Sequence, residues 1–169
     1  MSGFTFLSMA DKKINLSEQD FLRVPDATGM KFGIIVSDWN SEITYSMKAA
    51  ALDILKAKGV NSSDIFISHV PGSYELTSGA QFLAEKFNPD ALICIGCVIQ
   101  GETRHFEFIC NAVANGLTNL GLQLSKPVIF GVLTTDNLEQ ARARSGGKYG
   151  NKGVEAAVTA IYMAALKRI

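Results

Sequence analysis

The sequence predicts a three-layer α/β/α sandwich built on a four-stranded parallel sheet, doubly wound and contained in one domain. Three observations lead there. Four short apolar runs alternate with helical patterns from Lys31 to the last residues. Three of those runs are nearly continuous in β-branched and apolar residues, as strands buried on both faces must be. Strand and helix also alternate one for one, which parallel pairing demands because each crossover has to return the chain to the same edge. With 169 residues the chain is one ordinary domain, long enough to bury roughly 68–70% of its unfolded surface.

The elements follow in order. Residues 1–29 are mixed and polar, with Pro25 and Gly29 as breakers and no clear period, and read as a flexible or partner-packed arm ahead of a domain over 30–169. The first strand is Lys31–Ser37. A helix follows over 41–58, with Asn40 or Ser41 as N-cap and Gly59 past its end. Asp64–Val70 is the second strand, and a helix over 74–87 is stopped by Asn88-Pro89. Ala91–Ile99 is the third strand. The helix after it, 103–120, places Phe106, Ile109, Cys110, Val113, Leu117 and Leu120 at helical spacing. Pro127–Thr135 is the fourth strand, and Asp136 caps a short helix to Arg144. A Gly-rich bend (Ser145-Gly146-Gly147) leads to a last helix from Asn151, with Val154, Ala157, Val158, Ile161 and Ala165 on one side.

Composition removes several function classes. Sixteen Lys+Arg balance 16 Asp+Glu, whereas a nucleic-acid or anionic-membrane partner rewards a strongly basic face. Charged residues are 19% of the chain, against about 25% in a typical soluble domain, so part of the surface is expected to lie in subunit contacts. No apolar run approaches the ~18–20 residues of a membrane span, and the first residues lack the basic-then-apolar pattern of a signal peptide. Three cysteines, an odd number, speak against a disulfide framework. Cys94 and Cys97 form a C-x-x-C inside a strand, where a three-residue step points them to opposite faces, so they share neither a metal nor a disulfide. A cytoplasmic protein without a metal is expected.

In open parallel sheets, ligands bind beyond the carboxyl ends of the strands. Here those ends carry Asp38-Trp39-Asn40, Val70-Pro71-Gly72-Ser73-Tyr74-Glu75, Gln100-Gly101-Glu102-Thr103-Arg104-His105 and Thr134-Thr135-Asp136. The only Trp and one of the two His residues fall on this edge. Gln100–Thr103 is a strand-to-helix turn whose free backbone N–H groups and Thr103 hydroxyl suit an anion; an ordinary N-cap accounts for Thr103 equally well. His105, in the first turn of that helix at the positive end of the macrodipole, is either a structural histidine or a proton-transfer group beside the anion site. His69, at a strand end without an evident partner, reads as structural. Glu139–Lys152 holds Arg142, Arg144, Lys148 and Lys152 against one carboxylate, either as a solvated helix end or as a phosphate clamp. Trp39 offers a flat face for a heterocycle or for a subunit contact. Dinucleotide, P-loop, zincin and nucleophile-elbow motifs are absent from the sequence.

Four segments in order, FGIIVSDWN, VPGSYEL, GCVIQGETRHFEF and FGVLTTDNLEQARARSGGKYGNKGVEAA, resemble the 6,7-dimethyl-8-ribityllumazine synthase family, with a flavodoxin-like fold. Together they cover essentially everything from Phe32 to the last helix. The resemblance implies an enzyme of riboflavin biosynthesis. It joins 5-amino-6-(D-ribitylamino)uracil to 3,4-dihydroxy-2-butanone 4-phosphate, releasing phosphate and water without metal or organic cofactor. It implies that Trp39 stacks on the pyrimidine, where the family more often has Phe. Ser73, Tyr74 and Glu75 are implied to hold the ribityl chain and ring, and main-chain groups of Cys97, Val98 and Ile99 to line the pyrimidine pocket. Glu102, Thr103 and Arg144 would take the phosphate, and His105 would transfer protons. Phe130 is implied as a wall donated by an adjacent subunit, with Lys152 and Glu155 as supporting polar groups.

The resemblance further implies a homopentamer or a pentamer-based 60-mer, raises riboflavin synthase as a partner, and allows an extra N-terminal strand paired with a neighbour's sheet. Gln100, Glu102 and Arg104 depart from the family's usual Arg, small residue and Thr. Two other classes remain in view from sequence: a flavin- or lumazine-binding module without turnover, and a receiver-like signalling domain. The second needs an acidic cluster at the strand edge, and the first strand supplies only Asp38.

Overall fold

The computed structural model describes residues 21–168. Its elements are β1 (Phe32–Ser37), α1 (Ser41–Ala57), β2 (Ile65–Val70), α2 (Leu76–Phe87), β3 (Ala91–Ile99), α3 (His105–Leu124) and β4 (Val128–Thr135), then α4 (Leu138–Arg144), β5 (Ser145–Gly147), β6 (Gly150–Asn151) and α5 (Lys152–Lys167). The four long strands are all parallel, in the order β2-β1-β3-β4. This is the α/β sandwich expected from the alternation of strands and helices.

Two cores flank the sheet. Phe32, Ile34 and Val36 of β1 join Ile93, Ile95 and Cys97 of β3 against α1 and α5. Ile35, Leu92, Cys94 and Val132 face α2 and α3 on the other side. Strand alternation therefore separates Cys94 from Cys97 as their three-residue step requires. Both are free and buried; burial drives the Cys94 thiol far up and pushes Cys97 up to about 11.

Several boundaries move from the sequence expectation. The third helix, expected over 103–120, runs on to Leu124 before Ser125 turns left-handed. The helix also starts later than Thr103, at His105. Residues 73–75 form a 3-10 turn ahead of α2. Asn137, not Asp136, caps α4: its Oδ1 accepts from Gln140 N at 2.9 Å, while the Asp136 carboxylate takes the Gln140 side-chain amide. The Gly-rich bend is a small antiparallel hairpin, β5–β6, with Gly146 and Gly150 at positive φ.

The end of the expected arm is not loose. Val24 and Ala27 are buried in the α1–α5 core. Ala27 N donates to Lys58 O at 2.8 Å and Lys58 Nζ donates to Val24 O at 2.9 Å, strapping this piece to the end of α1. An isolated apolar Val or Ala in a polar stretch gives no period, so sequence alone left this packing invisible. An extra strand before Phe21 lies outside the described residues. Among the described residues, no helix is long and apolar enough to cross a membrane.

Candidate active site

The order β2-β1-β3-β4 makes β1 and β3 neighbours whose crossovers leave in opposite directions, and the crevice at their carboxyl ends is the topological switch point. A cavity of about 640 Å³ opens there. Its walls come from the turn after β1 (Trp39, Asn40), the loop after β2 (Gly72–Glu75), the end of β3 (Cys97–Ile99) and the start of α3. Nine of the residues singled out in the sequence meet in it: Trp39, Ser73, Tyr74, Glu75, Cys97, Val98, Ile99, Thr103 and His105.

Each wall has a local cause. Asn40 precedes α1 at φ 59 and makes no side-chain cap; its Nδ2 instead donates to Cys97 O at 3.0 Å and ties the Trp39 turn to β3. Ser73 is buried and packs over Gly96, where an added Cβ would come within 2.6 Å of Ser73 Oγ. That Oγ is a buried polar atom without a hydrogen-bond partner. Trp39 and Tyr74 are 72% and 59% exposed, so two aromatic faces stand open at the rim. At the base of α3, His105 N donates to Thr103 Oγ1 at a long 3.4 Å. The N-terminal end of this 20-residue helix thus borders the cavity and favours an anion.

Five singled-out residues are elsewhere. Glu102 is exposed on the turn and does not line the cavity. Phe130 is on the edge strand β4, partly exposed, sharing the sheet face of Val128 and Val132. Arg144, Lys152 and Glu155 make a compact polar knot where α4 meets α5. Glu155 is buried; its Oε1 accepts from Arg144 Nη2 at 3.0 Å and its Oε2 from Lys152 Nζ at 2.9 Å. Arg144 Nη1 also donates to Tyr149 O at 3.0 Å.

The basic segment is therefore less free than its sequence suggests. Arg142 is forked onto Glu42 of α1 at 2.8 and 3.0 Å, a pairing that holds the Glu42 carboxyl below its usual range. Lys148 lies over the Tyr149 ring. Both partners of the Arg142 pair are well exposed, so the fork orients α4 more than it stabilises the fold.

Sequence reasoning put Asn40, Gly72 and Gly101 on the ligand edge without a role, and missed Phe106 and Ile109 as cavity walls. The helical spacing that assigned Phe106 and Ile109 to packing was correct in period, but a helix end flanking a crevice presents part of its apolar face to the crevice. His69 stays outside the cavity lining and pairs with Asp38, a partner 31 residues away in sequence. Among the described residues, no three His, Cys, Asp or Glu side chains gather as a metal site.

Comparison with known proteins points the same way as the site. The model of the family described as 6,7-dimethyl-8-ribityllumazine synthase matches residues 29–168. A protein of that name from Cytophaga hutchinsonii is 52% identical over 94% of this chain and 98% of its own length. Those from Porphyromonas gingivalis and Parabacteroides distasonis are 48% and 50% identical, over 95% and 92% of this chain and 100% and 97% of theirs. Matched in sequence across nearly its whole length, and with a crevice where a parallel α/β sheet binds small molecules, the chain belongs to the 6,7-dimethyl-8-ribityllumazine synthase family.

Proposed function

We propose that this chain is the enzyme its family name describes. It condenses 5-amino-6-(D-ribitylamino)uracil with 3,4-dihydroxy-2-butanone 4-phosphate to 6,7-dimethyl-8-ribityllumazine, phosphate and water. The observation that carries the reading is the near full-length family match, and the cavity's chemistry agrees with it. Trp39 stacks on the pyrimidine, and main-chain groups of Cys97, Val98 and Ile99 meet its edge. Ser73, Tyr74 and Glu75 hold the ribityl chain. The backbone at Glu102 and Thr103 receives the phosphate at the start of α3, and His105 moves protons during imine formation and phosphate elimination. The amine and ketone are reactive on their own, so orientation supplies most of the acceleration.

Mixing the two substrates with protein is expected to produce lumazine absorbance and free phosphate in step. A rate equal to the buffer control overturns the reading. His105→Ala is expected to lower kcat about ten- to a hundredfold without abolishing it, at or below the lower end of the usual range for general acid–base groups. An unchanged kcat across pH in steady-state assays removes His105 from proton transfer.

The remaining site residues require a second copy of the chain. Phe130, Arg144, Lys152 and Glu155 follow or lie on the edge strand β4, away from the cavity walls. A neighbour docking that edge at the crevice completes the site with an aromatic wall and the Arg144 guanidinium. We therefore read residues 30–169 as the catalytic body of a homopentamer, or of pentamers in a 60-mer, with residues 1–29 serving assembly. The 19% charged content agrees with buried flanks. Light scattering is expected to give a multiple of five chains, and a fully active monomer overturns the shared site. A cytoplasmic location suits the free thiols Cys94 and Cys97, and riboflavin synthase is the candidate consumer of the product.

A further inference from the structure

Trp39 is the only tryptophan of the chain, and with 72% of its surface exposed little packing holds its ring. Its direction is set by the turn that carries it, and that turn is anchored on both sides. Toward β3, Asn40 donates to Cys97 O. Toward β2, Asp38 N donates to Val70 O at 2.8 Å and Trp39 N to Pro71 O at 3.0 Å, extending the β1–β2 ladder beyond the ends of both strands.

The Asp38 side chain adds a second layer on the β2 side. Its Oδ1 accepts from Tyr45 OH at 2.8 Å and lies 2.6 Å from His69 Nδ1. Lys48 Nζ is 3.4 Å from His69 Nε2 and 4.4 Å from the Tyr45 ring centre. The Tyr45 and His69 rings meet edge to face at 5.4 Å. Nδ1 is the His69 nitrogen that meets the Asp38 carboxylate, which can only accept, so the hydrogen bond runs from Nδ1–H to Asp38. Hydrogen bonds from His69 and Tyr45 hold the Asp38 carboxyl below its usual range, and the same carboxylate pushes the Tyr45 hydroxyl up. Three side chains, Tyr45 and Lys48 of α1 and His69 of β2, thus gather round Asp38, the residue next to Trp39, and none of the four lines the cavity.

We propose that Asp38 and His69 are positioning residues that clamp the β1–α1 turn to the end of β2 and so hold Trp39 in the orientation that stacks on the substrate's pyrimidine. The identity of that ring rests on the proposed function; the clamp itself does not. Such a network is exposed and adds little to global stability. Its effect is on binding: a wall that already points the right way spares the substrate the cost of ordering it. The chemical step, which uses other groups, is untouched.

The test uses the full-length protein with Asp38→Asn and His69→Phe, the second keeping the ring's bulk without its donor. Because Trp39 is the only tryptophan, its fluorescence anisotropy decay reports the local motion of this one wall. Both variants are expected to show a larger fast component at an unchanged melting temperature. The KM for the diaminouracil substrate should rise about five- to tenfold, less than the full worth of one hydrogen bond to a charged group because the lost contact acts on the substrate only through the turn, with kcat and the KM for the butanone phosphate unchanged. Tyr45→Phe, which deletes one hydroxyl, should move both readouts in the same direction by a smaller amount. A wild-type anisotropy decay in Asp38→Asn overturns the proposal, as does a loss confined to kcat or equal for the two substrates. The anisotropy arm needs no turnover, so an inactive wild-type protein would sink the functional reading while the clamp was still decided.

Discussion

Arg144→Ala is expected to raise the KM for 3,4-dihydroxy-2-butanone 4-phosphate about ten- to a hundredfold, the loss of one charge-assisted pair worth ~1.5–3 kcal/mol. The guanidinium is already ordered before any ligand arrives, one nitrogen on Tyr149 O and another on Glu155. A pre-ordered fork loses less entropy when it meets a phosphate. Glu155 keeps Lys152 at 2.9 Å after the change, so the knot is not left as an unpaired buried carboxylate and the fold should survive. Arg144→Lys separates charge from geometry: it retains the charge, and a KM closer to the alanine variant than to wild type would show that the planar fork matters. Steady-state assays with each substrate varied in turn make the check. An unchanged KM for the butanone phosphate in Arg144→Ala removes this residue from the phosphate grip.

Gly153→Ala is expected to destabilise the protein by about 3 kcal/mol or more, at or beyond the upper end for overpacked sites. The added methyl would sit 1.9 Å from Met47 O and 2.6 Å from Met47 C, both main-chain atoms of α1. No rotamer change relieves a clash with backbone; α1 and α5 would have to separate, opening the core that both helices share with β1 and β3. By the usual scaling for this size of domain, the melting temperature should fall roughly 6–12 °C. Gly101→Ala is the control, because nothing lies within 4 Å of the position its Cβ would take. Equal melting temperatures for the two variants would show that the helices yield at no cost. The first turn of α5 also bears Lys152 and Glu155, so a shifted helix should weaken the Arg144 knot as well.

Much of the architecture was legible from local pattern. The runs in β1 and β3 are too continuously apolar for half-exposed strands, and both are buried. The β4 run, expected to be covered on both faces, instead lies at the sheet edge with Phe130 and Thr134 exposed, because strand order is not written in composition. Helix ends were less legible. The helix over 103–120 was expected to stop before Gly121 but runs through it to Leu124, where Ser125 takes the left-handed cap, and Asn137 displaced Asp136 as a cap because the chain was still extended there. At the site, the strand-end rule located Trp39, Ser73–Glu75, Thr103 and His105 without coordinates, since sequence position along a parallel strand specifies which edge a residue reaches.

By itself the sequence determined the fold class, the edge of the sheet where chemistry can occur, and through its motifs the family. Only the tertiary structure decided which charges are free. The basic excess between Arg142 and Lys152 looks like an open clamp in one dimension, but Glu42 and Glu155 take up most of it, and Glu42 is 100 residues from its partner. His69 finds Asp38 by the same route. Phe130 lies on the edge strand and Arg144 in the knot with Glu155, while His105 and Trp39 share a crevice that neither Phe130 nor Arg144 lines. The physical reason is common to all of these. Periodicity and turn chemistry are local and survive in the order of residues, whereas an ion pair or a shared site is set by distances through space that only the packed sheet and its helices define.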